Sequence, residues 1–341
     1  MAFKIDGILP PGLAAARDAA GPMEALGYDG LWSTETTSEP FLDLAAVALE
    51  TSRPLIGTNL AIAFARSPFV TAVASWQLHR ASGGRFVLGL GTQVKGHIER
   101  RFGMAWESPG PKLREYVQAL QALWAAFQGQ RPLDFRGRFY THTVISPFFD
   151  PGPIDHPPPK VWLAAVNEYN AETCGLVADG ILVHPVHSRR YVEQVLMPAI
   201  ERGLAKSGRS RSDITVMCPV FLVVGRDAEE AAASDAFVRS QIAFYGSTRT
   251  YSRIFTTHGW NDTPTRLHQL MGAGDLGAMP GAISDEMLSE FAITGHPDDV
   301  VGRVRERYDG LADRLYFYNL FTSPFAGDDG RQRELIAALS S

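Results

Sequence analysis

Residues 82–92 have the sequence SGGRFVLGLGT, and this stretch decides the fold. A glycine pair precedes a continuous apolar run, and the run ends with Gly89 and Gly91 on either side of a leucine. Strands that are buried on both faces have this pattern, and both faces of a parallel sheet are buried. We therefore predict that residues 85–91 form one strand of a parallel sheet.

Seven further short apolar runs accompany this one along the chain. They span residues 3–9, 30–34, 55–64, 160–165, 180–184, 214–224 and 314–318. Segments with a helical pattern alternate with them. Residues 112–128, for example, carry an apolar stripe of period 3.6, with Pro111 at the expected first helical position and Gly129 just beyond the end.

The alternation of β and α units determines the fold class. It implies parallel strands joined by helical crossovers, and eight such units close as a (β/α)8 TIM barrel of the α/β class. A doubly wound open sheet is the alternative. A barrel takes about 250 residues, which leaves about 90 of the 341 residues for insertions. We predict one domain over residues 1–341, with a hairpin and loop after strand four (135–150) and a helical excursion after strand seven (245–295).

Composition excludes several classes of protein. The net charge is −5 and no basic block exists, which argues against a nucleic-acid partner. No uncharged apolar run reaches about 18 residues, so no membrane span is expected. The two cysteines, Cys174 and Cys218, fit neither a zinc spacing nor a disulfide framework. The first residues lack a signal-peptide pattern, and we expect a cytoplasmic protein.

The active site of a barrel lies at the C-terminal ends of its strands, so those positions supply the candidate residues. Glu35 follows strand two, and Thr58 and Asn59 are polar residues inside the apolar third strand. Thr92 ends strand four, and His97 follows it. Each of these polar groups has a structural alternative: a rim ion pair for Glu35, and hydrogen bonds with the backbone for the others.

The ends of strands five and six suggest binding groups of two other kinds. Asn167 follows strand five and a helix is predicted from residue 168, so the free N–H groups at its start favour an anion. His184 and His187 follow strand six, but strand one lacks the His-x-His that a metal-dependent hydrolase barrel would add. No metal site is therefore predicted, and these imidazoles are expected to act as polar groups.

Several segments together resemble a known superfamily. Residues 82–92 and IGTNL (56–60) are similar to the bacterial luciferase-like flavin and deazaflavin proteins, as are VWLAA (161–165) and ADGI (178–181). GHIERRFG (96–103) and FYGST (244–248) resemble the branch of oxidoreductases that depend on coenzyme F420. The resemblance covers nearly the whole chain in order.

The resemblance implies a cofactor and its contacts. The cofactor would be coenzyme F420, with FMN as the alternative, and its ring would lie at the barrel mouth. A cis peptide bond at Asn59–Leu60 would support the ring, and the phosphate would lie on the loop after strand five. The expected cofactor-binding residues are Thr58, Asn59, Leu60, Thr92, His97, Ala165, Val166 and Asn167. A small-molecule substrate and a homo-oligomer, dimer or tetramer, are also expected.

At some positions the chain departs from the superfamily's sugar-phosphate dehydrogenases, and these differences narrow the range of expected reactions. The superfamily's sugar-phosphate dehydrogenases carry Asp-His at the end of strand two, where this chain has Glu35 and Thr36. Those enzymes also carry a Glu where this chain has Val94. We predict that His97 exchanges the proton that accompanies hydride transfer and that Glu35 positions the ring or the histidine. The alternatives are an FMN-dependent monooxygenase and a non-catalytic flavin-binding protein.

Overall fold

A computed structural model describes residues 2–341, and eight parallel strands form a closed barrel. In chain order the strands are β1 (Lys4–Ile8), β2 (Gly30–Ser33), β3 (Leu55–Thr58), β4 (Phe86–Gly91), β5 (Lys160–Ala165), β6 (Gly180–Val183), β7 (Thr215–Val224) and β8 (Arg314–Phe317). Each strand pairs with the next one, and β8 pairs with β1. The predicted (β/α)8 fold class is confirmed.

One long helix follows each barrel strand. These are α1 (Leu13–Leu26), α2 (Pro40–Glu50), α3 (Pro68–Ala81), α4 (Pro109–Phe127), α5 (Glu168–Val177), α6 (Met197–Ser207), α7 (Ala228–Gly246) and α8 (Asp329–Leu339). The Ser67 hydroxyl accepts a hydrogen bond from the Val70 N–H at 3.3 Å and so caps α3. No helix within residues 2–341 is both long enough and apolar enough to span a membrane.

Side chains fill the lower half of the barrel interior. Trp32 of β2 stacks on Trp162 of β5, with 4.9 Å between the ring centroids. The guanidinium of Arg314 lies 6.0 Å from the Trp162 ring, and its Nε donates to Oδ2 of Asp6 at 2.8 Å. Burial raises the pKa of the Asp6 carboxyl, and the neighbouring Arg314 acts in the opposite direction. Together, Trp32, Trp162, Asp6 and Arg314 form a plug that closes the barrel below the strand ends.

Two insertions depart from the β/α repeat. After β4, the short antiparallel strands Phe135–Arg136 and Thr141–His142 form a hairpin, within the predicted range. After β7, the excursion contains the helices Ser252–Thr256, Asp262–Ala273 and Asp285–Phe291. The strand Ala292–Gly295 pairs in parallel with the end of β7. One more helix, Val300–Tyr308, connects this strand to β8.

Two element boundaries differ from prediction by more than one residue. The third strand, predicted over 55–64, ends at Thr58, and Ala61–Ile62 resumes pairing with β4 after a cis peptide bond at Asn59–Leu60. Helix α4 begins at Pro109, so Pro111 is its third residue and not its first. A proline is tolerated throughout the first turn, whose N–H groups lack helical partners, and its position there does not fix the start.

Candidate active site

A cavity of about 1040 Å³ opens where the barrel strands end. Its wall takes residues from seven strand ends: Ile8, Thr34, Asn59, Gly91, Ala164, Val183 and Tyr318. The excursion after β7 closes one side with Tyr245, Thr248 and Tyr251. The cavity therefore lies where barrel enzymes carry their active sites.

The segment after β3 forms one wall of the cavity. The Asn59–Leu60 peptide bond is cis, as the resemblance implied, and both residues line the cavity. The side-chain Nδ2 of Asn59 is buried next to the Tyr316 hydroxyl, and it makes no hydrogen bond of normal geometry with the described residues. A Cβ atom on Gly91 would lie 2.8 Å from a methyl carbon of Leu60, so this glycine makes room for the leucine.

Two predicted cofactor-binding threonines differ in their exposure to the cavity. Thr58 is fully buried, and its hydroxyl donates to the Gly89 carbonyl at 2.6 Å and accepts from the Gly89 N–H at 2.9 Å. These bonds join β3 to β4, and Thr58 is not part of the cavity wall. Thr92 does line the cavity, and its hydroxyl donates to the Gln93 carbonyl at 2.9 Å.

Glu35 lies on the cavity wall within a network of hydrogen bonds. Its Oε2 accepts from Arg66 Nη1 and from the Ile62 N–H, each at 2.7 Å, and its Oε1 accepts from Arg66 Nη2 at 3.1 Å. Burial of the Arg66 guanidinium lowers its pKa, but the hydrogen bonds that it donates to Glu35 raise this pKa, and the net shift is upward. The carboxylate thus anchors the segment that follows the cis peptide bond, which agrees with a positioning role.

His97 lies on the short helix Lys95–Arg100, directly after β4. Its side chain is exposed and is not part of the cavity wall, whereas Val94 and Lys95 are. The structure therefore brings Glu35 to the cavity but does not bring His97 there. The proton-carrying role of His97 stays a prediction.

The loop between β5 and α5 forms another part of the cavity wall, two strands away from the segment after β3. Val166 and Asn167 line the cavity, while Ala165 is buried behind them. The side chain of Asn167 caps α5 by accepting the Asn170 N–H at 2.9 Å, and the Tyr191 hydroxyl donates to the Val166 carbonyl. The remaining first-turn N–H groups of α5 have no helical partners, which suits an anion.

His184 follows β6 and lies half-buried on the cavity wall. Tyr245 and Tyr251 pack against its ring, each with a centroid distance of 4.4 Å. Its Nδ1 accepts the Val186 N–H at 3.1 Å, and its carbonyl lies 2.8 Å from Nδ1 of His187. Burial lowers the pKa of His184 to about 3 and that of His187 to about 4.

Aromatic side chains form a further side of the cavity. Tyr316 of β8 and Tyr318 just after this strand line it. Phe237, Tyr245 and Tyr251 join them from α7 and the excursion. No periodicity in residues 245–295 indicates which side chains fold back over the barrel.

Comparison with known proteins places the chain in a family. Residues 4–314 match the model of the luciferase-like monooxygenases. An uncharacterized protein of Mycobacterium tuberculosis is 48% identical over 313 residues, which are 92% of each chain. The 5,10-methylenetetrahydromethanopterin reductase of Archaeoglobus fulgidus is 27% identical over 290 residues, covering 83% of this chain and 82% of the reductase.

A solved structure supports the same fold. The coenzyme F420-dependent tetrahydromethanopterin reductase from Methanopyrus kandleri superposes with a TM-score of 0.75 at 20% identity, covering 98% of this chain and 96% of the other. The family match spans the first seven barrel strands and reaches the first residue of β8. This chain is therefore a member of the luciferase-like monooxygenase family.

Proposed function

We propose that this protein is a coenzyme F420-dependent oxidoreductase that transfers a hydride between the cofactor ring and a small organic substrate. The observation that carries the proposal is the cavity at the strand ends. At about 1040 Å³ it is at the upper end of the roughly 300–1,000 Å³ of a small-molecule pocket. This volume is large enough for a cofactor ring and a second small molecule.

The residues present fit such a cofactor. Asn59 and Leu60 offer a surface for a flat ring, and the side-chain Nδ2 of Asn59 makes no hydrogen bond of normal geometry within the described residues. Gly91 has no side chain that would displace Leu60 from this surface. The start of α5, with Val166 and Asn167, offers backbone N–H groups to a phosphate. F420, when bound, supplies a ring carbon that donates or accepts the hydride.

The chain's own residues have three tasks in this proposal. Glu35 and Arg66 hold the segment 60–62 in place through the bonds described above. Thr92 and Asn59 contact the ring, and Thr58 supports them from behind by joining β3 to β4. His97 carries the paired proton, and its helix follows the wall residues Val94 and Lys95.

A side-by-side titration tests the cofactor assignment. Purified protein is titrated with F420 and with FMN, and binding is followed by cofactor fluorescence. We expect F420 to bind with a micromolar or lower dissociation constant and FMN to bind more weakly. Tighter binding of FMN, with rapid oxygen consumption by the reduced complex, would favour a monooxygenase instead. Binding of F420 with no electron transfer to any substrate would favour a storage role.

A further inference from the structure

His184 has one ring nitrogen that is bonded within the protein and one that is available to a ligand. Nδ1 accepts the Val186 N–H at 3.1 Å, so in the neutral ring the hydrogen resides on Nε2. Among the described residues, Nε2 has no hydrogen-bond partner, and it is not sealed from solvent as the corresponding atom of His142 is. Since His184 lines the cavity and its Nδ1 is engaged, Nε2–H is the ring donor that remains for a ligand there.

Packing holds this donor in one orientation and one charge state. Tyr245 and Tyr251 contact the imidazole at 4.4 Å each, and their own rings are 5.6 Å apart. These rings exclude water from two sides of the imidazole. The lowered pKa described above is the consequence, and it keeps His184 neutral throughout the physiological range. A neutral imidazole with a fixed tautomer donates one hydrogen bond without releasing its proton.

The surroundings of this donor are apolar and aromatic. Phe237, Tyr318 and Phe321 line the same part of the cavity, with Phe237 5.2 Å from Phe321 and 6.5 Å from Tyr318. His184 follows β6, which is three strands from β3 in the barrel, so this part is separate from the segment 59–60 that the proposed ring would contact. It is therefore the part of the cavity left for a substrate.

From this geometry we infer that His184 is a specificity-determining residue, whose Nε2–H binds the carbonyl oxygen of an otherwise apolar, aromatic-sized substrate. The inference rests on the proposed function in that the bound molecule is taken to be the substrate for hydride transfer. A carbonyl oxygen accepts the bond that the neutral imidazole offers, and its apolar remainder contacts the aromatic rings. His184 acts by hydrogen bonding and is not the proton source.

A matched pair of probes tests this inference without turnover. Acetophenone and α-methylstyrene have nearly the same shape, but only acetophenone carries an oxygen acceptor. Dissociation constants of both are measured by ligand-observed NMR for wild-type protein, His184→Phe and His184→Gln, with and without F420. His184→Phe keeps an aromatic ring between the tyrosines and removes the donor, whereas His184→Gln keeps an amide donor near the position of Nε2.

A neutral hydrogen bond corresponds to about a two- to tenfold change in affinity. In His184→Phe we expect acetophenone to lose affinity relative to α-methylstyrene by that factor. In His184→Gln the ratio of the two dissociation constants should stay near the wild-type value. His296→Gln, a change at an exposed residue outside the cavity wall, is the control and should keep the ratio. In ¹⁵N-labelled wild-type protein, acetophenone alone should shift the Nε2 resonance of His184, a measurement that needs no variant.

Three results would overturn the inference. These are an unchanged ratio in His184→Phe, an equal loss in the Phe and Gln variants, and failure of both probes to bind wild-type protein in either cofactor state. A protein that shows the expected ratios but does not bind F420 would contradict the proposed function and leave the role of His184 supported.

Discussion

Among single residues, Glu35 is a carboxylate on the cavity wall whose oxygens are already hydrogen-bonded within the protein. Both of its oxygens accept hydrogen bonds, from Arg66 and from the Ile62 N–H, and its side chain is 8% exposed. Removing one partner of such a buried pair leaves the other charge without compensation. The pair therefore fixes residues 60–62, and its geometry is suited to holding a ring surface and not to exchanging protons.

His97 carries the residue-scale prediction for catalysis. General acid–base help is typically worth about 10²–10⁴-fold, so His97→Asn should lower turnover by that factor and change its pH profile. Asparagine keeps a hydrogen-bonding group but cannot titrate near neutrality. The measurement is steady-state kinetics across pH 5–9, with cofactor affinity determined in parallel. A fall of less than tenfold with an unchanged pH profile would show that another group moves the proton.

Among the elements, β3 and β4 meet in a contact that leaves no room for a side chain at Gly89. The Thr58 hydroxyl is hydrogen-bonded to both the N–H and the carbonyl of Gly89. A Cβ atom on Gly89 would collide with the Thr58 carbonyl oxygen. A Cβ atom on Gly91 would instead meet the methyl groups of Leu60, which can turn into the cavity. The two glycines of the same strand therefore have different tasks, one in pairing and one in the shape of the cavity.

Alanine substitutions separate these two tasks. Gly89→Ala should lower the free energy of unfolding by about 1–3 kcal/mol or more, because backbone has to move. Gly91→Ala should cost less stability but weaken cofactor binding, because Leu60 would be pushed into the cavity. Urea denaturation and the F420 titration measure the two effects. Equal stability losses, or full cofactor affinity in Gly91→Ala, would contradict this division.

The barrel strands could be predicted from sequence because apolar runs of β-rich composition correspond directly to buried parallel strands. Residues 160–165 were predicted with the observed bounds, and most other strands differ by one residue at an end. The run 55–64 could not be divided by this argument, because two polar residues inside an apolar run do not reveal that strand pairing stops at Thr58. The contribution of the excursion to the site depends on tertiary folding that no local pattern encodes.

For the molecule as a whole, buried histidines set the response to acid. Burial is the first cause of a lowered pKa at five of them: His79, His142, His184, His187 and His258. In the unfolded chain a histidine has a pKa of about 6.5. Below that pH the unfolded chain binds more protons than the folded one, so acid favours unfolding.

Stability should therefore fall as the pH drops from about 7 toward 5, before most carboxylates titrate. The free energy of unfolding, measured by urea denaturation at half-unit steps of pH, should decrease steadily over this range. His184→Phe should reduce the slope between pH 6 and 4, because its unfolded chain takes up one proton fewer. A flat profile in wild-type protein would show that these histidines are already accessible to protons in the folded state.

The plug of Trp32, Trp162, Asp6 and Arg314 has a consequence for the order of events during turnover. It makes the reaction chamber single-ended, so everything that enters at the strand ends also leaves there. A product molecule that stays bound there occupies the opening through which the next substrate would arrive. Product and substrate then exclude each other, and departure through the mouth, past the tyrosines of the excursion, is part of every catalytic cycle.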